Sequence, residues 1–185
     1  MRTSHLAALS LACVTTCAAF AQKAPDSVYG ELGYTQITLA AADGSFPAMK
    51  PSALRAIVGY EMNRNFSVEG MAATGISDGS ADVAVGGSTL TIKTKVDSMY
   101  GVFAKVKADV VPSLELFGRV GYSKENYTIS ASSTSGSGSV DGLAWGLGGS
   151  YVVSPVLALN VDYMSYSNKD GVKATGPTFG VAFKF

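Results

Sequence analysis

Past residue 22 the chain has no run of eighteen apolar residues, and from residue 28 on it alternates apolar and polar side chains with a period of two, in eight separate segments. The first property rules out a membrane-spanning helix. The second marks strands with two unlike faces. In the first segment Val28, Gly30, Leu32 and Tyr34 share one face, and Tyr29, Glu31, Gly33 and Thr35 the other. The same alternation places Leu54, Ala56, Val58 and Tyr60 opposite Arg55, Ile57, Gly59 and Glu61, and Leu157, Leu159, Val161 and Tyr163 opposite Ala158, Asn160, Asp162 and Met164. In all eight segments the charges keep to one face and the other carries none. Twenty-one glycines, nine tyrosines and eight phenylalanines suit strands and turns better than helices.

The connections alternate in length. Asn63-Arg64-Asn65, a turn at Pro112 and Ser154-Pro155 are short. Residues 40–51, 75–88, 130–139 and 167–176 read as long loops rich in Gly, Ser and Asp. Each strand is expected to run about nine to eleven residues, enough to cross a bilayer when tilted; residues 89–97 extend the fourth beyond it. An exported chain that spans lipid without helices must close its sheet so that no backbone group is left unpaired. The expected fold is therefore all-β: an eight-stranded antiparallel up-and-down transmembrane β-barrel with short periplasmic turns and long outer loops. A soluble barrel alternates too, but with its apolar side inward. The aromatic residues favour the membrane reading. Strand direction puts Tyr34, Tyr100, Tyr122, Trp145 and Tyr163 toward the outer rim, and Tyr60, Phe66, Tyr151, Phe183 and Phe185 toward the periplasmic rim. Two aromatic belts are what two lipid interfaces would select.

Residues 1–21 read as a cleaved secretory signal: Arg2, an apolar stretch from Leu6, and Ala19-Phe20-Ala21 before a cut after Ala21. A lipoprotein reading of Cys13 is weaker, because the apolar stretch before it is short. Residues 22–27 form a polar periplasmic lead-in, and 28–185 the barrel. Cleavage would remove Cys13, Cys17 and His5, which are every Cys and His in the chain. The mature protein would then have no disulfide and none of the commonest transition-metal ligands, and no cofactor is expected.

The final segment, Phe179-Gly180-Val181-Ala182-Phe183-Lys184-Phe185, and the pairs Gly33-Tyr34, Gly59-Tyr60 and Gly121-Tyr122 carry a family likeness. The chain resembles the small outer-membrane β-barrel family, of porin-family type, typified by the OmpA transmembrane domain and OmpX. The resemblance spans nearly all of residues 28–185. It implies residence in the outer membrane of a Gram-negative bacterium after export through the periplasm. It also implies that Phe179, Val181, Phe183 and Phe185 form the signal read by the barrel-assembly machinery. No peptidoglycan-binding domain follows Phe185, which suits a barrel-only member.

The inward charges are the best-defined candidates for function: Glu31, Glu61, Glu69, Glu115 and Asp162 against Arg55, Lys105, Arg119 and Lys184. Buried charges persist when paired, and an eight-stranded barrel is about wide enough to be filled by side chains. A plugged, ion-paired lumen is expected, with a narrow porin-like channel for small solutes or ions as the alternative. An outer-membrane enzyme fits less well, because the familiar hydrolytic mechanisms use a histidine. Balanced charge, 14 basic against 14 acidic residues, gives no reason to expect nucleic acid. Lys50, Lys93, Lys95, Lys124, Lys169 and Lys173 lie in outer segments, where they either meet lipopolysaccharide phosphates or are solvated. Asp78 and Asp82 are too sparse for a calcium site. Outer-membrane lipid is the expected surrounding, and no surface partner is specified.

Overall fold

The computed structural model describes residues 27–41, 47–85, 88–131, 134–169 and 171–185. The signal and its cleavage site lie outside the described residues. Ten strand segments follow one another: β1 (Ser27–Gln36), β2 (Thr38–Ala41), β3 (Ser52–Asn63), β4 (Phe66–Ser77), β5 (Gly79–Val85), β6 (Ser88–Val111), β7 (Leu114–Ala131), β8 (Thr134–Ser154), β9 (Leu157–Lys169) and β10 (Val172–Lys184). β2 continues β1 past Ile37, and β5 continues β4 past Asp78, so the ten segments make eight passes. Among the described residues every pairing is antiparallel between successive passes, and the first pass, β1 with β2, pairs with β10 to close the ring. Ser27, expected in the lead-in, is already in the first strand opposite Glu61.

The registers fix the shear. The ladder from Val28 runs through Tyr60, Val68, Ala104, Val120, Trp145, Ser165 and Thr175, and returns to the first pass at Thr38, ten residues beyond its start. Such a barrel tilts its strands by roughly 35–45° from the axis.

At one end the passes are joined by two-residue turns at Arg64-Asn65, Pro112-Ser113 and Pro155-Val156. The Asn63 side-chain oxygen caps the first by accepting the Asn65 N–H at 2.9 Å. The other end departs from the expected loops. Residues 75–88, 130–139 and 167–176 are mostly paired strand: Gly79 to Val85 pairs with Ser88 to Thr94, Ser130 with Ser135, and Val172 with Lys169. The passes are accordingly longer than nine to eleven residues, up to the 24 of β6. Ser, Gly and Thr suggest loops by composition, yet in a hairpin their backbone groups are satisfied by the ladder. Gly171, at φ 76°, occupies the left-handed position that the β9–β10 turn requires.

Through the closed part of the barrel, the apolar face points outward and the charged face inward. Beyond it the sense reverses. On β6 the even-numbered residues Tyr100, Val102 and Val106 are exposed, but Val96 and Thr94 are buried. A register shift between Val96 and Ser98 accounts for the change. One extra residue, Asp97, turns the same alternating sequence through half a pleat. The projecting hairpins thus enclose a small apolar core including Ile37, Leu39, Val96 and Ala174.

Candidate functional site

The inward charges gather in two tiers. In the upper tier Arg55, on β3, donates from Nη1 and Nη2 to Asp162 on β9, at 3.0 and 2.5 Å, and from Nη2 to Glu31 on β1 at 2.6 Å. Arg119, on β7, reaches three acids: Glu69 at 2.6 Å, Asp162 at 2.6 Å and Glu31 at 2.7 Å. Each of these five side chains is about 1 % exposed or less. Lys105 stands 3.5 Å from Glu69 and packs over the rings of Phe117 and Tyr29, at 4.4 and 4.9 Å. Three acids thus face three bases across the lumen, drawn from β1, β3, β4, β6, β7 and β9. Planar guanidinium groups suit this bridging because each offers several donors in a fixed fork.

The lower tier lies toward the short turns. Lys107 donates to Glu61 at 2.6 Å and stands 3.5 Å from Glu115. Lys184 reaches Glu61 at 3.2 Å with 43 % of its side chain exposed. Glu115 is also partly open, so these two stand at the mouth of the barrel and not in its core.

Several participants were not singled out from sequence. Lys107 shares the inward face with Lys105, but strand four was expected to end at Val106; with it, five acids meet five bases. Tyr29 donates its hydroxyl to Glu69, and Asn160 donates to Glu31 at 2.8 Å. Tyr166 accepts from Arg55 at 3.2 Å. The parity of Tyr29 and Asn160 was legible, but their partners on distant strands were not. Gly59 leaves the space that the Tyr29 ring occupies, and a Cβ there would overlap it.

The aromatic residues stand on the outer surface. A level traced around the barrel must drop about 1.25 residues per strand to cancel the shear. Tyr34, Tyr100, Tyr122, Trp145 and Tyr163 then fall within two residues of one level. Tyr60, Phe66, Tyr151 and Phe183 fall together about six residues nearer the short turns, with Phe66 only half exposed. From Leu143 and Tyr100 down to Met62 and Phe185, the exposed apolar surface covers about nine residues of strand. With tilted strands that is roughly 23 Å, close to the apolar band of about 25 Å that barrels present to an outer membrane. The upper charge tier lies between the two aromatic levels.

The family model described as outer membrane protein beta-barrel domain matches residues 5–185. This chain is an outer-membrane β-barrel protein. Its residence in the outer membrane of a Gram-negative bacterium follows. Solved structures share the fold at low identity. Ail, the attachment invasion locus protein of Yersinia pestis, is 20% identical with a TM-score of 0.62, over 86% of this chain and 99% of that one. Neisserial surface protein A is 16% identical with a TM-score of 0.61, over 85% and 97%. OprG from Pseudomonas aeruginosa is 15% identical with a TM-score of 0.56, over 89% and 97%. The search of curated proteins found no match.

Proposed function

We propose that this outer-membrane barrel is a non-conducting, non-enzymatic envelope protein whose lumen is closed by its own ion pairs. The reading rests on one observation above all: Arg55 and Arg119 are buried between Glu31, Glu69 and Asp162 and tie opposite walls of the barrel together. A solute entering from the periplasmic side meets Glu61, Lys107 and Lys184 in an open vestibule and then this tier. Passage would require separating charges from which water is excluded, at a cost of several kcal/mol per ion.

The aromatic levels serve as lipid-interface belts. Phe179, Val181, Phe183 and Phe185 present the final strand to the barrel-assembly machinery. Above the outer belt, exposed Lys93, Lys95, Lys124 and Lys173 face the region of lipopolysaccharide phosphates. Cleavage after Ala21 removes the one histidine, His5, and with it the usual hydrolytic base.

Proteoliposomes in isotonic arabinose test the closed lumen against a narrow solute channel. The protein-containing vesicles are expected to swell no faster than empty ones. Swelling that scales with the amount of folded barrel would establish the channel instead. Acyl transfer or proteolysis by the purified protein would overturn the non-enzymatic part.

A further inference from the structure

The inward face of the projecting hairpins holds a cavity of about 250 Å³. Leu39, Met49, Ile92, Tyr127, Ile129 and Val140 line it, and its surface is almost wholly apolar. Register places it five or more residues beyond the outer aromatic level, so it opens outside the membrane and above the charged tiers. Nothing in the barrel's lipid-facing design needs apolar volume here, and an unfilled apolar cavity is destabilising in proportion to its size.

A second observation lies directly beneath. Glu125 stands two residues before Tyr127 on the same inward face of β7 and across the ladder from Val140; those two line the cavity, and Glu125 lies just below its wall. It is 2 % exposed, and its Oε1 has no hydrogen-bond partner among the described residues. A buried acceptor in that state is costly until a donor reaches it. The residues paired with it, Met99 and Val140, offer no side-chain donor of any strength.

We infer that the outer mouth of the barrel binds a small amphiphile, a hydrocarbon chain of roughly octyl length carrying one ammonium donor, with the chain in the apolar cup and the donor on Glu125. The volume suits this class. An apolar cavity of about 150 Å³ admits benzene, so 250 Å³ takes a body roughly two-thirds as large again. An anionic head would meet a carboxylate with no cation among the residues paired to it.

Isoleucine methyl spectra of the full barrel in lipid nanodiscs provide the test, with n-octylammonium as probe and n-octanoate as its anionic match. Ile92 and Ile129 report the cup, Ile57 the lumen and Ile76 the exposed outer surface. Octylammonium is expected to shift Ile92 and Ile129 saturably while leaving Ile57 in place, and octanoate to give no saturable shift. Glu125→Gln is expected to weaken binding at least tenfold. Ile129→Trp, which would fill the cup from a position 38 % exposed at its rim, is expected to abolish it. Shifts that rise linearly with the probe and move Ile76 equally would mean non-specific adsorption to the outer surface, and would overturn the site. Equal binding of octanoate, or no change in Glu125→Gln, would overturn the assignment of the donor.

Discussion

Arg119 is the residue on which the upper tier depends most, since it alone touches Glu31, Glu69 and Asp162 together. Replacing it with Met keeps much of the bulk but leaves three buried acids to Arg55 and Lys105. A loss of roughly 3–5 kcal/mol is expected, read as a lower urea midpoint for unfolding from lipid vesicles, with Arg119→Lys recovering part of it. Glu125 has, by contrast, no ion pair among the described residues, and burial pushes its carboxyl up to about 7. The unfolded chain ionises near 4.3, so the folded form holds a proton that the unfolded form has already lost. Stability from this group therefore falls as pH rises from about 4.3 to 7 and levels off above, by roughly 3–4 kcal/mol in all. Glu125→Gln is expected to remove that slope from the pH dependence of the urea midpoint. Strand parity put Arg55, Glu69 and Arg119 on one face, and the aromatic belts on the opposite face turned that face inward. It could not show that Glu31 and Asp162, on strands far apart in sequence, meet the same two guanidinium groups. Nor did it reach Lys107, because the Asp109 and Pro112 turn signals drew the expected strand end back to Val106.

The strands within the apolar band were legible because lipid outside and charge inside impose a contrast on every second residue. The hairpins above it were not. Residues 130–139, Ser- and Gly-rich, suggest a loop, yet Ser130 pairs with Ser135 and Asn126 with Ser139. The bulge at Asp97 was equally hidden, since the alternation from Leu90 to Val106 runs on without a break while the side chains change sides. Gly59 shows how closely adjacent strands depend on each other. Gly59→Ala would press a Cβ into the Tyr29 ring and disturb its bond to Glu69. A loss of about 1–3 kcal/mol is expected from the same urea titration, with Gly70→Ala, where a Cβ meets open space, as the mild comparison. The outer belt can be read directly, because Trp145 is the chain's one tryptophan. Lipids brominated near the headgroup are expected to quench it more than lipids brominated near the chain ends, and the reverse order would move the band.

At the scale of the whole molecule, eight passes and a shear of ten set a bore that side chains can fill. The inward sequence fills it with five acids and five bases in two tiers. Balance matters as much as burial. Each of these ten charges has an opposite partner within 3.5 Å, so the two tiers carry a polar interior that balances its own charge. The apolar exterior and charged interior reverse the arrangement of a soluble barrel below the bulge, and the soluble arrangement returns above it. Electrical recording tests the closed lumen most directly. Folded protein inserted into planar bilayers is expected to give no sustained single-channel steps at moderate voltage, with insertion verified by heat-modifiable migration of the recovered barrel. Stable, voltage-tolerant steps whose number grows with the amount of inserted protein would contradict a lumen closed by Arg55 and Arg119.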